Sequence, residues 1–377
     1  MKTPLGRALS TTAPDRRLGT GWLSGTVALF LGLCALGAVL CIRFPALLTV
    51  PEARTLYPLA LIRLAIHVCA IAAFVLGTLC VVLGRHAVLG GTAIACVLGA
   101  ILLGGWNVEP AGELTSGLYL GLDWFLLNLI VFSAVWIPIE RLFGRLTDQP
   151  VFREDWEIDL FYFFLSGMAV QFLAYVTLKP AMTLFNNTDW QLLRAWVAAQ
   201  PLWLQFVEIM LVTDLVQYAV HYAFHRVPFL WRFHAVHHSA EKMDWLAGSR
   251  LHLFDMLMVR VSTAIPMIVL GFAESAVYAY LSWVTFQATL AHSNVRWRFG
   301  PLKYLLTTPQ FHHWHHAADR EGIDKNFAIH LPLIDKLFGT FYMPENKWPS
   351  AYGIAPNPVP RGWLRQFLYP LVPAMWR

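Results

Sequence analysis

The sequence predicts an all-α fold: a polytopic transmembrane helical bundle with a cytosolic, histidine-rich helical cap that holds a di-metal site. Three observations carry that expectation. Hydrophobic residues make up 57% of the 377 and charged residues only 14%, against about 25% charged in soluble domains; mean hydropathy is +0.52. Apolar runs of about 20 residues, enough to span a hydrocarbon core about 30 Å thick, recur along the chain. Of the 14 histidines, all but His67 and His86 lie between His221 and His330.

The apolar runs predict spans at Trp22–Ile42, Tyr57–Leu83, Ala87–Gly105, Leu118–Pro138, Ile158–Leu178 and Leu202–Val220. A re-entrant or spanning pair follows at Met256–Gly271 and Ala273–Ala291. The first run follows a polar leader with Lys2, Arg7, Arg16 and Arg17. It is long and no A-x-A site follows, so it reads as a retained anchor rather than a signal peptide. Lysine and arginine in the short loops set orientation. The basic leader lies inside, as does the Arg85–His86 turn. The loop with Glu109 and Glu113 is outside, and Arg141, Arg145 and Arg153 are inside again. This count returns every histidine cluster to the cytosolic face of a bacterial inner membrane or endoplasmic reticulum. Charges replace apolar residues near Leu142–Trp156, which divides the chain. Residues 1–150 form an amino-terminal membrane region, 151–345 the part that carries chemistry, and 346–377 a tail.

The net charge of +5 is spread through loops, with no basic run interleaved with aromatics, so nucleic acid is excluded as a partner. Cys34, Cys41, Cys69, Cys80 and Cys96 sit in apolar stretches without a C-x-x-C pair and read as small hydrophobes.

Three clusters hold the chemistry. His221 and His225 are spaced i, i+4; His234, His237 and His238 are spaced i, i+3, i+4; His312, His315 and His316 repeat that spacing. On a helix such residues share a face, whereas His313 points about 100° away. Imidazole suits iron, zinc, copper and nickel. Eight inward imidazoles are too many for one four- to six-coordinate ion, so the count predicts two. Solitary His67 and His86 read instead as polar residues satisfied near helix ends. An acid in an apolar helix is costly without a partner. Asp214, two turns before His221 on the same face, is therefore assigned to orient a ligating imidazole, or else to pair with an arginine such as Arg250. Asp335 reads as an orienting acid or a loop cap, and Asn326 as a holder of metal-bound water or a turn.

The stretch Asp214-Leu-Val-Gln-Tyr-Ala-Val-His221-Tyr-Ala-Phe-His225, continued by Trp231-Arg-Phe-His234-Ala-Val-His237-His238, resembles the fatty acid hydroxylase/sterol desaturase superfamily. The H-x3-H, H-x2-H-H and H-x2-H-H boxes occur in order. Thr308-Pro309, Gly322-Ile-Asp324-Lys-Asn326-Phe and Ile334-Asp335-Lys-Leu-Phe338-Gly339-Thr340 are similar to its alkylglycerol monooxygenase branch. The resemblance covers roughly 158–344 and gives no support to the first 150 residues. It implies di-iron ligation by the eight box histidines, joined by His292 of Ala291-His292-Ser293-Asn294. His252 sits in a box where proline often follows, but Leu253 follows here, and ligation by it is left open. Tyr222 replaces an arginine that many relatives carry. His330 matches no ligand position and reads as a loop residue.

The implied activity is a non-haem di-iron monooxygenase: hydroxylation of an unactivated C–H bond in a fatty acyl chain, sterol, carotenoid or ether lipid, using O2. Desaturation on the same centre is the alternative. No G-x-G-x-x-G turn, haem motif or iron–sulfur motif is present, so electrons come from an external electron-transfer partner or a reduced pterin. Zinc can substitute for iron in purified protein. Trp231, Phe233, Trp245, Trp283 and Trp297 are candidates to line a lipid channel. Two other classes compete. A metal transporter places ligands mid-span along a path, and a zinc hydrolase needs an open site with a carboxylate base, for which no H-E-x-x-H exists.

Overall fold

A computed structural model describes residues 3–10, 16–111 and 118–372; Lys2, Glu113 and the end of the tail lie outside the described residues. The described residues are helical, with two isolated bridge pairs and no strand. Two compact units are present. The first comprises residues 1–134, 150–154 and 164–171, and the second comprises 135–149, 155–163 and 172–377.

The first unit begins with α1 (Pro4–Leu9), α2 (Trp22–Arg43), and two single turns, α3 (Pro45–Leu48) and α4 (Pro51–Arg54). Next come α5 (Leu59–Leu83), α6 (Ala87–Leu102) and most of α7 (Leu122–Phe143). α2, α5 and α6 pack together through small residues, which is how apolar helices gain van der Waals contact when lipid is as apolar as they are. Ala35, Ala70, Ala73 and Val97 form one buried layer, and Val39, Ile66, Ala100 and Val108 another. At Gly90 a β-carbon would lie 2.4 Å from the Gly77 carbonyl oxygen, so the α5–α6 crossing requires glycine there. Asp123 is buried near the start of α7 and accepts from the Val50 amide and the Tyr57 hydroxyl.

Helices α8 (Trp156–Met168) and α9 (Val170–Asn187) correspond to the single span expected at 158–178, but they meet at a 60° bend. The break follows Ser166-Gly167, a small-residue pair of the kind at which helices kink. Among the described residues, five helices are long and apolar enough to cross a membrane, or six if this bent pair counts as one.

The second unit adds α10 (Gln191–Ala198), α11 (Leu202–Arg226), α12 (Pro228–His238), α13 (Leu253–Val269) and α14 (Glu274–His292). It closes with α15 (Pro309–His315), α16 (Pro332–Phe338) and α17 (Trp363–Leu368). Its main core joins α11, α13 and α14 through Ile209, Met210, Ala264, Met267, Ala276 and Tyr280. The pair expected at 256–271 and 273–291 is the α13–α14 hairpin, turned at Gly271 with φ +73°. Pro228 stops α11 and starts α12, because proline fits the first helical turn but not a helix interior. This break sets the first two histidine boxes on separate helices. Val359 and Tyr369, from the segment expected as a tail, pack with Ile158, Tyr162, Ala235 and Val236.

Candidate metal centre

Nine histidines converge in the second unit, and they are the eight box histidines plus His292. His221 and His225 end α11, His234 and His238 lie on α12, and His315 lies on α15; each offers a ligand atom within 4.8 Å of the others'. A second group, His237, His292, His312 and His316, meets the same limit. Each later box is therefore divided between the two groups. His237 goes to one and His234 and His238 to the other, while His315 separates from His312 and His316.

The outward ring nitrogens show how the inward ones are prepared. Nδ1 of His221 lies 2.8 Å from the Phe327 carbonyl oxygen and that of His315 2.8 Å from Lys325's. Nδ1 of His237 meets the Arg250 carbonyl at 3.0 Å, and that of His292 the Ala288 carbonyl at 2.8 Å. His234 meets the Asp255 carboxylate at 2.6 Å, and His225 meets Asp324 at 3.2 Å. Carbonyl and carboxylate oxygens only accept, so each of these nitrogens carries the proton, and the neutral ring turns an Nε2 lone pair inward.

Those lone pairs face one another. Nε2 of His221 and of His234 are 3.0 Å apart, and those of His292 and His237 3.4 Å. Two acceptors at that distance repel unless a cation lies among them. Nε2 of His225, His238 and His315 are buried and have no hydrogen-bond partner. A buried polar atom without a partner costs about 1–3 kcal/mol, and a metal ion is what unprotonated, convergent imidazole nitrogens would satisfy. The donor set fits two transition-metal ions. Burial, reinforced by neighbouring imidazoles, holds His237, His238, His312 and His316 well below the usual histidine range. His315 is pushed down to about 3, with burial as the main cause. Neutral imidazole is the ligating form.

Other expectations resolve differently. His313 lies outside both groups: its Nδ1 lies 2.7 Å from the Tyr352 hydroxyl, and its Nε2 faces the His292 and Ser293 carbonyls. His252 caps α13, accepting the Phe254 amide, and its other nitrogen meets the Phe367 carbonyl. His330 lies in a loop, as its sequence suggests, and is fully buried between Gln287 and Tyr280. Asp214 does not touch an imidazole, which corrects the orienting contact assigned to it. Its carboxylate accepts the amides of Ile329, His330 and Leu331. Seven residues of helix rise about 10 Å, beyond a carboxylate's reach to His221. Arg250, its suggested alternative partner, pairs with Asp159.

Asp335 caps the amides of Phe327 and Ala328 and the Thr340 hydroxyl, and Asn326 holds a turn against Phe311 and Tyr342. Of the five candidate channel aromatics, Trp231 stands beside the histidines, 5.1 Å from His225 and 5.5 Å from His238 between ring centres. Phe233 packs on His252 and Phe254, Trp245 on Phe163, Trp283 on Phe206 and Trp297 on Phe143. Phe327, fully buried, is 5.0 Å from His225 and 5.5 Å from His221.

The fatty acid hydroxylase family model matches residues 206–340, which contain every one of these nine histidines. Over this segment the chain is similar to the fatty acid hydroxylase superfamily. The chain is 33% identical over 176 residues to the ornithine lipid hydroxylase of Rhizobium tropici, covering 46% of this chain and 53% of that one. It is 29% identical over 187 residues to human alkylglycerol monooxygenase, covering 49% of this chain and 38% of that protein. It is 28% identical over 144 residues to the Caenorhabditis elegans alkylglycerol monooxygenase, covering 38% and 28%. The chain thus spans about half, or less, of the length of these relatives. No solved structure matches. With five or six helices among the described residues apolar and long enough to cross a membrane, the chain is an integral membrane protein.

Asp255 and Asp324 are site residues that sequence reasoning missed. A signal existed for Asp255. It is an acid within an otherwise apolar stretch, the argument that singled out Asp214, and it contacts His234, 21 positions earlier.

Proposed function

We propose that this protein is a membrane-bound di-iron oxygenase that hydroxylates an unactivated C–H position of a lipid. The observation that carries the reading is the inward convergence of nine buried imidazoles, five in one group and four in the other, with unprotonated nitrogens facing each other. Two iron ions held by His221, His225, His234, His238 and His315, and by His237, His292, His312 and His316, would activate O2 for aliphatic C–H cleavage. The protein's part is positional. Carbonyls and carboxylates hold the outward nitrogens of six of the nine rings, so those six are already turned toward their ligand. Trp231 and Phe327 wall the five-histidine group, where their rings exclude water. Electrons come from outside the chain, through a partner protein or a reduced pterin.

The substrate follows from the setting. α11 ends in His221 and His225 and is itself one of the membrane-crossing candidates, so a ligand-bearing helix is continuous with the bilayer. A lipid reaches such a site sideways. The named activities of the relatives, on an ornithine lipid and on alkylglycerols, support a lipid substrate. The distribution of basic loops supports a site on the cytosolic side.

The deciding experiment compares lipid extracts, by accurate mass, from cells with and without the chain. Gain of one oxygen atom in a lipid is the expected result. Loss of two hydrogens instead identifies a desaturase. An unchanged lipidome with metal uptake into vesicles sinks the enzyme reading in favour of transport.

A further inference from the structure

Six consecutive backbone N–H groups, from Asn326 to Leu331, all have acceptors. Asn326 donates to the Thr340 carbonyl at 3.0 Å. Phe327 and Ala328 donate to the two carboxylate oxygens of Asp335, each at 2.8 Å. Ile329, His330 and Leu331 donate to Asp214 at 2.8, 3.1 and 2.7 Å. Both acids are fully buried. A buried carboxylate is costly by itself, but several N–H donors offset that cost, and hydrogen bonds to a charged acceptor are stronger than neutral ones. Five successive amides are therefore divided between two acids that arrive from different helices, α11 and α16. Asp324 and Asn326, with φ of 55° and 61°, take the left-handed conformation that Asp and Asn tolerate.

The same segment faces one histidine group. The Asp324 carboxylate meets His225, the Lys325 carbonyl meets His315 and the Phe327 carbonyl meets His221. The outward contacts of the four-histidine group go elsewhere, those of His237 and His292 to the Arg250 and Ala288 carbonyls.

We propose that Asp214 and Asp335 are positioning residues that determine occupancy of the five-histidine group alone, by pinning residues 324–331 so that His221, His225 and His315 aim at one point. The inference rests on the two-ion reading above. Its physical basis is tautomer control. An imidazole that loses its Nδ1 acceptor is free to carry the proton on Nε2, and the inward lone pair disappears. Releasing the segment relaxes three of the five ligands in one group and none of the four in the other.

The test uses the full chain, purified in lipid nanodiscs. Iron per folded chain is measured on the monodisperse fraction, and the cobalt(II)-loaded protein is examined by visible absorption. Wild type is expected to hold two ions. Asp335→Asn and Asp214→Asn are expected to fall toward one ion and to lose one set of cobalt bands. His312→Ala damages the other group, so its combination with Asp335→Asn is expected to fall toward none. If the carboxylate variants do not fold, Thr340→Val is read in the same way, because it removes only the hydroxyl that lies 2.6 Å from Asp335. Two ions retained with merely a lowered melting temperature overturns the proposal, and so does loss of both ions together from a folded single variant. A wild-type chain with one ion overturns the two-ion reading and this inference with it.

Discussion

The five-histidine and four-histidine groups are made of the same side chain and lie a ring apart: His238 and His316 stack at 4.5 Å across the boundary. They are held differently. In the five-histidine group two rings lean on carboxylates, Asp255 on His234 and Asp324 on His225. In the four-histidine group the outward contacts of His237 and His292 are to neutral carbonyls, and His292 also lies against Gly248, where a β-carbon would come within 2.9 Å of Nδ1. An anionic partner makes an imidazole a stronger base and a stronger ligand. The difference teaches that the two cages are not equivalent, and that one is electrostatically richer by construction.

The hardest break to the comparison is loss of a ligand. His315→Ala and His312→Ala strike different groups, and each is expected to remove one ion and abolish turnover; metal analysis beside an activity assay checks this. If either variant loses both ions, the cages are not independent.

Chelation sharpens the contrast. Under a chelator the four-histidine ion is expected to leave first, giving a one-ion plateau in a titration followed by spectroscopy. A single concerted loss removes the asymmetry argued from Asp255 and Asp324.

Asp255→Asn should cost about 10–100-fold in activity or in affinity for the five-histidine ion, as changes to a ligand's hydrogen-bond partner commonly do. Asp324→Asn should cost less, because its side chain is 30% exposed and its contact longer. Equal effects in metal-binding titrations would show that the charge on His234 is not what matters.

Metal-free protein should also be acid-sensitive. Unfolded histidines take up protons near pH 6.5, whereas folded His313 and His315 do so only near about 3. Folded-state pKa values are thus depressed, so stability present above pH 6.5 declines as pH falls through that window. Melting curves from pH 7.5 downward, with and without metal, check this. The metal-loaded chain should resist longer, since bound nitrogens are not free to protonate.

The smallest effect belongs to the histidine outside both groups. His313→Ala should keep both ions and lose about 1–3 kcal/mol from the contacts to Tyr352 and to the carbonyls that end α14. Metal content equal to wild type in that variant, against loss in His312→Ala, separates two neighbours in sequence.

Much of this was legible in the residues because helical periodicity is local. Spacing alone puts His234 and His238 on one face and His313 on another. What spacing does not carry is distance between elements. The Asp214 assignment failed on that point: periodicity gives a shared face with His221 but says nothing of whether a carboxylate can reach along two turns. Asp255 escaped because its partner lies across a loop. The division of each later box between two groups depends on where α12 and α15 cross, which no pattern within either helix records. The kink after Ser166-Gly167 was hidden by apolar residues on both sides, since hydropathy measures how apolar a run is and not whether it is straight.

The α11–α12 break at Pro228 has a consequence for the growing chain. A ribosome that has just passed Ser239 has already made four of the five imidazoles of one cage, on two adjacent helices, but a single member of the other. His292, His312 and His316 are still to come. One cage is therefore nearly assembled early, yet it still waits for His315 and for the 324–331 segment that aims its rings, while the other waits for three of its four ligands. Any premature stop between those points would leave a membrane protein in which neither cage is complete.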